Sequence, residues 1–405
     1  MKILHVNYHE NRGGAGRAVW RLHRLFLEQG LDSHLLAAEK HSADARTYQA
    51  FGPSELKKIH LMQRIEANLN RIVSRRLYPF PRSYNMLRTS LNEAVVRLNP
   101  DLVILHWING SMASVEQLPQ LGVPTVWMLH DSWIYCGAEH YLPFDDRRFE
   151  TGYDDAFDPD AAVFRRKRRA WNDWNIPLVA SSSWLESQCR RSLLFREHTV
   201  FRGALPFPGK VFYPERERTA VRRIFGFPPG KKILLLGTLD RSYGVIKGLD
   251  LFQKALMEMD PVLADNTACV LCGGEVPLDL PLPVYFAGNI TDDNLLRALY
   301  CAADAVVCPS RREAFGQIAV EASACGTPVA AFSGTGHDSS IVHLETGYLA
   351  RMGNYHDLAR GIGFVLNAGP RLGDAARSFV SEKYDPVKIA RDWRNIAERV
   401  LERDF

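Results

Sequence analysis

The chain has 405 residues, of which 46% are hydrophobic and 24% charged, and its formal net charge is +4. This length favours two domains, and the composition is that of an ordinary globular protein. So small a net charge gives no support to nucleic-acid binding, and no nucleic-acid partner is expected. No apolar run is long enough for a transmembrane helix, and the polar first strand is not a signal peptide, so a cytoplasmic location is expected.

Seven cysteines are scattered along the chain without a disulfide framework, which favours reduced thiols. Cys269 and Cys272 form a CxxC pair inside an apolar strand, where core packing is the better interpretation than zinc binding. No second pair of cysteines or histidines has the spacing of metal ligands. The sequence therefore predicts no metal site.

The first half of the chain alternates apolar strands with helical segments, which predicts a doubly wound parallel sheet. Gly13 to Gly16 are predicted to form a turn, followed by a helix over 17–29 that Gly30 ends. The predicted strands are 2–8, 34–38, 102–106, 125–130 and 178–180.

Residues 202–214 contain three prolines and two glycines and read as an interdomain linker. The strand pattern then restarts at 232–237, 268–272, 284–288, 304–309 and 328–332, which predicts a second parallel sheet. Residues 386–405 carry apolar side chains at helical spacing. The predicted fold class is α/β, with two Rossmann-like domains.

Two glutamates, Glu313 and Glu321, stand eight positions apart where an apolar strand leads into a helix. Open parallel sheets bind ligands at the carboxyl ends of their strands. Carboxylates there suit ligand hydroxyls, and the free N–H groups of a helix N-terminus suit phosphate.

The run Pro309 to Gly316, then Glu321, then Gly326 to Val329 resembles the nucleotide-sugar site of retaining glycosyltransferases of family 4. That resemblance implies the GT-B fold, in which two Rossmann-like domains face a cleft. It implies an acceptor-side domain over 1–208, joined by the helix 386–405, and a nucleotide-sugar domain over 209–385.

The resemblance also implies roles for individual residues. Glu313 would hold the donor sugar, Glu321 the ribose hydroxyls and Lys247 the leaving diphosphate. Thr238 stands where the family often has a phosphate-binding arginine, and Arg241 is the candidate to replace it. The other implied donor contacts are Gly14, Ala15, Gly16, Gly237, Gly288, Asn289, Ile290, Ser310, Phe315, Gly316 and Gln317.

The block from His130 to Tyr141 resembles that of bacterial exopolysaccharide glycosyltransferases, including the colanic-acid type, and places His130 beside the reacting centre. Such proteins often carry a cysteine-rich insert after this block; here the segment 142–160 has no cysteine. Within it, Asp158-Pro159-Asp160 is a literal DxD, interpreted as a solvated loop and not as a metal site.

Two basic stretches, 55–77 and 164–174, mix cationic with apolar or aromatic residues. Such amphipathic segments suit an anionic membrane surface, but a solvated helix face explains them equally well. A lipid-linked acceptor would make peripheral contact with the inner face of the cytoplasmic membrane useful.

The sequence thus predicts a retaining, metal-independent glycosyltransferase without a cofactor. Its partners would be a nucleotide-diphosphate sugar donor and a saccharide or lipid-linked acceptor, in cell-surface polysaccharide biosynthesis. Two alternatives stay open: a nucleotide-sugar epimerase of the same fold, and a non-catalytic sugar-nucleotide-binding subunit.

Overall fold

A computed structural model describes residues 1–73, 80–143, 145–154, 157–215, 217–239, 244–274 and 279–402, with the backbone alone at 238 and 239. The chain forms two compact units, Met1–Pro206 with Pro386–Phe405, and Phe207–Asp385. The boundary between the two units lies after Pro206, two residues before the boundary after residue 208 that the sequence predicts.

The first unit is built on a seven-stranded parallel sheet in the order β3-β2-β1-β4-β5-β6-β7. Its strands are β1 (Lys2–His9), β2 (Asp32–Glu39), β3 (Thr47–Gln49), β4 (Leu102–Leu105), β5 (Thr125–Met128), β6 (Leu178–Ala180) and β7 (Val200–Arg202). The predicted parallel sheet is confirmed. The three-residue edge strands β3 and β7 were not predicted, because so short a segment carries no readable periodicity.

In the described part of this unit the strands are connected by helices α1 (Gly13–Glu28), α2 (Pro53–Val73), α3 (Leu91–Leu98), α4 (Arg148–Thr151), α5 (Pro159–Ala170) and α6 (Ser183–Arg191). The predicted turn at Gly13 to Gly16 is wrong, because these residues form the first turn of α1. Gly13 keeps a positive φ of 68°, which a glycine adopts without strain.

The second unit is built on a six-stranded parallel sheet in the order β10-β9-β8-β11-β12-β13. Its strands are β8 (Lys232–Leu239), β9 (Thr267–Gly273), β10 (Val284–Gly288), β11 (Ala305–Cys308), β12 (Val329–Phe332) and β13 (Gly347–Ala350). Its helices are α7 (Arg218–Ile224), α8 (Leu249–Met257), α9 (Pro261–Asp265), α10 (Asp293–Ala302), α11 (Gln317–Ala324), α12 (Tyr355–Asn367) and α13 (Pro370–Lys383).

The last helix, α14 (Pro386–Glu402), packs on the first unit. Its Trp393 is buried, lies 5.9 Å from the ring of Phe26 and donates a hydrogen bond from Nε1 to the Ala204 carbonyl at 3.2 Å. Gly203 lies against the same indole, where a Cβ would come within 3.3 Å of it.

Both sheets reverse their strand order beside their first strand, between β1 and β4 and between β8 and β11. In open α/β sheets the crevice outside the carboxyl ends of such strands is where ligands bind. We call these two places the switch points of the sheets. Ligand-binding residues are therefore expected in the loops after β1, β4, β8 and β11.

The interpretation of Asp158 and Asp160 as a solvated loop is wrong. Asp158 is the N-cap of α5 and pairs with Arg148 at 2.8 Å, while Asp160 is fully buried against Arg82. The guanidinium of Arg82 donates to both carboxylate oxygens of Asp160, at 2.8 and 3.1 Å. Both aspartates thus hold the segment after the fifth strand to the core.

The basic stretch 164–174 is only partly exposed. Lys167 is buried, lies 3.5 Å from the ring centroid of Trp133 and donates to the carbonyls of Cys136 and Gly137. Arg166 pairs with Glu116 at 2.7 Å. Two of its cations are therefore committed to the fold.

The cysteine interpretation is consistent with the structure: all seven cysteines are free and buried. Cys269 and Cys272 lie in β9, which is paired on both sides, by β10 and β8. Buried thiols on an interior strand act as small apolar residues.

Candidate active site

Lys247 and Glu313 meet at the switch point of the second sheet. Lys247 follows β8 and Glu313 follows β11, and the Nζ of the lysine lies 2.8 Å from Oε2 of the glutamate. Both side chains remain partly accessible, at 26% and 21%. A cation and a carboxylate that share this edge can contact a phosphate and a hydroxyl of one ligand.

Each charge of this pair shifts the pKa of the other. Burial opposes ionisation of Glu313, but Lys247 and then His337 outweigh it, so the pKa of Glu313 is lowered. Burial likewise opposes the charge on Lys247, and Glu313 outweighs it and raises the pKa of the lysine. Both groups are charged at neutral pH, and the site presents a fixed positive charge beside a fixed negative one.

His337 closes one side of the loop that carries Glu313. It is buried, and burial lowers its pKa to about 4, so the ring is neutral at neutral pH. Neither ring nitrogen has a hydrogen-bond partner among the described residues. Gly316 has a φ of 87°, and a Cβ there would come within 2.4 Å of His337 Nδ1, so only glycine fits.

Glu321 lies in the second turn of α11 and is 3% exposed. Its Oε2 accepts a hydrogen bond from the hydroxyl of Tyr300 at 2.9 Å. Burial, and then Glu321, raise the pKa of Tyr300 well above its usual value, so the tyrosine is a fixed donor. Tyr300 therefore orients this carboxylate.

The remaining predicted donor contacts surround this edge. Ser310 and Phe315 are buried, and the ring of Phe315 meets Tyr384 edge-to-face at 5.4 Å. Gly316 is the N-cap of α11, so Gln317 opens that helix with its free N–H groups. Gly237 packs against Ile318, which a Cβ would approach to 2.9 Å.

The predicted nucleobase turn follows β10. Gly288 ends the strand with a φ of 71°, and Ile290 is 8% exposed, with Asn289 between them. Asp292 is the N-cap of α10 and accepts a hydrogen bond from the Leu295 N–H at 2.8 Å. Arg241 and the side chain of Thr238 lie outside the described part of the chain.

In the first unit, His130 ends a row of three histidines on neighbouring strands. His130 Nε2 lies 2.9 Å from His106 Nδ1, and His106 Nε2 lies 2.9 Å from His5 Nδ1. Burial lowers the pKa of His130 to about 4, although Asp131 opposes the shift. Burial also lowers the pKa of His5 and of His106 well below the usual value. The three rings are neutral at neutral pH.

The next residue, Asp131, is used to hold its own loop. It lies 2.5 Å from His140 Nδ1 and accepts a hydrogen bond from Trp107 Nε1 at 3.0 Å. His140 Nε2 in turn lies 2.9 Å from the hydroxyl of Ser83. Much of the polar content of the 130–141 block is thus structural, which leaves His130 as its candidate for chemistry.

The glycine segment Gly14, Ala15 and Gly16 opens α1 directly after the switch point of the first sheet. A Cβ on Gly16 would lie 3.2 Å from the Asn11 carbonyl carbon, whereas one on Gly14 would meet nothing within 4 Å. Gly16 is therefore needed for close packing, and Gly14 leaves open backbone that a ligand can approach.

Sequence reasoning missed four side chains of these clusters: Tyr300, His337, His106 and His5. The signal for His5 and His106 was present, because each is a polar residue in or directly after an apolar strand beside the switch point. No comparable signal marks Tyr300, which reads as one of several apolar positions of its helix.

Two protein-family models match the chain. "Glycosyltransferase Family 4" matches residues 12–157, and "Glycosyl transferases group 1" matches residues 217–379. The first match lies in the first unit and the second in the other.

Curated relatives align over part of the chain. A D-inositol 3-phosphate glycosyltransferase of Salinispora tropica is 38% identical over 137 residues, covering 30% of this chain and 28% of the relative. An uncharacterized glycosyltransferase of Methanocaldococcus jannaschii is 29% identical over 218 residues, covering 50% of this chain and 54% of the relative. The alignments thus span between about a quarter and about half of these relatives.

Solved structures match over the whole chain. Sucrose-phosphate synthase from Thermosynechococcus elongatus has a TM-score of 0.68 at 19% identity, covering 99% of this chain and all of that chain. Anabaena HepE in complex with UDP-glucose has a TM-score of 0.66 at 17% identity, covering 98% of this chain and all of that chain. At such identities the likeness establishes the fold.

The two parallel-sheet units and these matches define the class: this is a chain of the GT-B fold. Its first unit contains the match to the glycosyltransferase family 4 model, and its second unit contains the match to the group 1 model.

Proposed function

We propose that the protein is a retaining glycosyltransferase that moves a sugar from a nucleotide-diphosphate donor. The observation that carries the proposal is the Lys247–Glu313 pair, 2.8 Å apart at the switch point of the unit that matches the group 1 domain. Anabaena HepE, which shares the fold, binds UDP-glucose.

In this proposal, three side chains contact three different parts of the donor. Lys247 stabilises the negative charge that grows on the leaving diphosphate, and fixed cations of this kind supply a large part of catalysis. Glu313 accepts hydrogen bonds from sugar hydroxyls, and Glu321, held by Tyr300, accepts them from ribose. The acceptor attacks the face from which diphosphate leaves, and the leaving phosphate takes its proton. No protein nucleophile is required.

The acceptor in this proposal is a saccharide or lipid-linked sugar of cell-surface polysaccharide biosynthesis. The curated relatives named above include an enzyme that acts on D-inositol 3-phosphate, so a phosphorylated polyol belongs in the same test. The test screens nucleotide sugars by thermal shift, since a ligand that binds the native state raises its melting temperature. Donors that bind are then incubated with each acceptor class, and the anomeric configuration of the product is read by NMR.

Each result of that experiment selects one function. Transfer with retained configuration supports the proposal, and inversion contradicts the retaining assignment. Conversion of the donor into an isomer without any acceptor identifies an epimerase. Tight donor binding with neither hydrolysis nor transfer identifies a non-catalytic subunit.

Glu321→Ala is expected to weaken binding of the nucleoside diphosphate at least about tenfold. The carboxylate is buried and oriented, and a hydrogen bond to a charged group contributes roughly 1.5–3 kcal/mol. Calorimetric titration measures the affinity. Glu258→Ala, an exposed glutamate of the same unit, is the control, and affinity equal to the native value in Glu321→Ala refutes the ribose assignment.

Transfer is expected to continue in excess chelator, because Lys247 and the N-terminus of α11 supply the positive field at the diphosphate. Initial rates are measured with and without EDTA. Loss of transfer that magnesium or manganese restores would show that a metal, and not these groups, stabilises the leaving group.

We also propose that α2 holds the enzyme peripherally on the inner face of the cytoplasmic membrane. The helix exposes basic and apolar side chains together: Lys57, Lys58, Leu61, Arg64, Ile65, Arg71 and Ile72. Arg75 and Arg76 of the same stretch lie outside the described residues. None of the described helices is both long and apolar enough to cross a bilayer.

Anionic liposomes are expected to pellet the protein at low salt and to release it at high salt. Each basic residue near such a surface contributes about 1 kcal/mol, and salt screens the attraction. Reversal of Lys57, Lys58 and Arg64 to glutamate is expected to abolish pelleting, whereas reversal of the exposed Arg168 and Arg169 on α5 serves as control. Equal pelleting with neutral and anionic liposomes contradicts the proposal.

A further inference from the structure

A cluster of three histidines and a glutamate lies at the carboxyl edge of the first sheet, apart from the residues assigned above. His9 ends β1, Glu39 ends β2, His41 follows two residues later, and His60 comes from α2. A strand end, the loop after the neighbouring strand and a helix therefore bring three imidazoles around one carboxylate.

The distances suit one metal ion. His9 Nδ1 lies 3.1 Å and His41 Nε2 lies 3.8 Å from the same oxygen, Oε2 of Glu39. The three ligand atoms all lie within 4.8 Å of one another. Around a tetrahedral zinc ion with bonds of about 2.0–2.1 Å, ligand atoms stand roughly 3.4 Å apart. A small rotation of the two rings therefore brings all three atoms into a zinc coordination sphere.

The histidine on β1 is free to coordinate. Its Nδ1 is buried and has no hydrogen-bond partner among the described residues, although it points at the carboxylate. An imidazole nitrogen without a partner beside a carboxylate lacks the donor–acceptor geometry of a hydrogen bond, and a cation between the two atoms would satisfy both.

The surrounding residues hold the ligands in place. The other oxygen of Glu39, Oε1, lies 3.2 Å from His60 Nε2 and accepts from the Tyr8 hydroxyl at 3.4 Å. The buried Glu10 accepts hydrogen bonds from the backbone N–H groups of His41 and Ser42, at 2.6 and 2.8 Å. Hydrogen bonds that orient a ligating carboxylate and a ligand-bearing loop are typical of metal sites.

We propose that His9, Glu39 and His41 bind a zinc-class divalent ion, with His60 orienting the carboxylate. Two imidazoles favour zinc, cobalt or nickel over magnesium and calcium, which prefer oxygen ligands. Three protein ligands leave one position open for water or an anion. The sequence had predicted no metal site, because these ligands come from separate segments. The ion has no part in the transfer chemistry proposed above.

The test is calorimetric titration of the chelator-treated, full-length protein with zinc chloride. We expect one ion per chain, and His9→Ala or His41→Ala is expected to weaken binding at least about tenfold. Since His60 only orients the carboxylate, His60→Ala should have a smaller effect than either. Magnesium chloride should give no heat of binding.

His356→Ala is the matched control, because His356 lies 3.4 Å from Glu258 in the other unit, and this pair has no third metal-ligating group close by among the described residues. All eight tryptophans lie in the first unit, so their fluorescence follows its melting alone. Zinc should raise that melting temperature in the native protein and in His356→Ala, but not in His41→Ala, whose exposed side chain can be removed without unfolding. No binding to the native protein, or undiminished binding in both ligand variants, overturns the proposal.

Discussion

Replacing Lys247 with alanine is expected to lower kcat by about 10²–10³-fold. The lysine supplies a fixed positive charge 2.8 Å from Glu313 at the switch point, and loss of one preorganised group that stabilises developing negative charge has effects of this size. Its contribution grows as the diphosphate leaves, so kcat should fall more than donor affinity does. Steady-state kinetics and donor titration together measure the two effects.

Lys254→Ala is the matched control, because Lys254 lies exposed on α8, a few residues further along the chain. Its kinetics should equal those of the native enzyme. A kcat for Lys247→Ala within a few fold of the native value would remove this lysine from the chemistry. Melting curves of both variants show whether the second unit remains folded.

Replacing Asp160 with alanine is expected to destabilise the first unit by about 3–5 kcal/mol. Asp160 and Arg82 are fully buried and joined by two hydrogen bonds, and removal of one partner leaves an uncompensated charge in the core. Tryptophan fluorescence in urea measures the change, because it reports this unit alone.

The double variant Asp160→Ala, Arg82→Leu tests the cause. If the unpaired charge is responsible, removal of both partners should recover part of the lost stability. Glu186→Ala, which breaks the partly exposed pairs with Arg190 and Arg202, should cost less than about 1 kcal/mol. A cost for Asp160→Ala as small as that of the control would show that the buried pair contributes little.

Much of the fold follows from the sequence, because buried parallel strands are continuous apolar runs that stand out between helices. Segments such as 232–237 and 268–272 therefore match β8 and β9 closely. Edge strands do not have this signal: β3 and β7 have three residues each, and their pairing depends on neighbours that the local sequence does not reveal.

The candidate site likewise contains residues that the sequence predicts and residues that it does not. Lys247, Glu313 and Glu321 belong to one readable pattern of strand, loop and helix, so their places at the sheet edge could be predicted. His337 and Tyr300 approach the two glutamates from other segments of the second unit, and only the packing brings them there. The aspartates of 158–160 were misread for the same reason, since Arg82 lies far away in the chain.

The row His5, His106 and His130 has a consequence for the direction of its protons. Each neutral ring carries one N–H, so His106 can donate only one of its two hydrogen bonds and must accept the other. The donors of both bonds therefore point in the same direction along the row. His5 Nε2 is buried without a partner among the described residues. A buried N–H left unpaired is rarer than a buried lone pair, so the protons point from His5 towards His130. His130 then carries its hydrogen on Nδ1, and this imidazole offers a donor to oxygen and not a base.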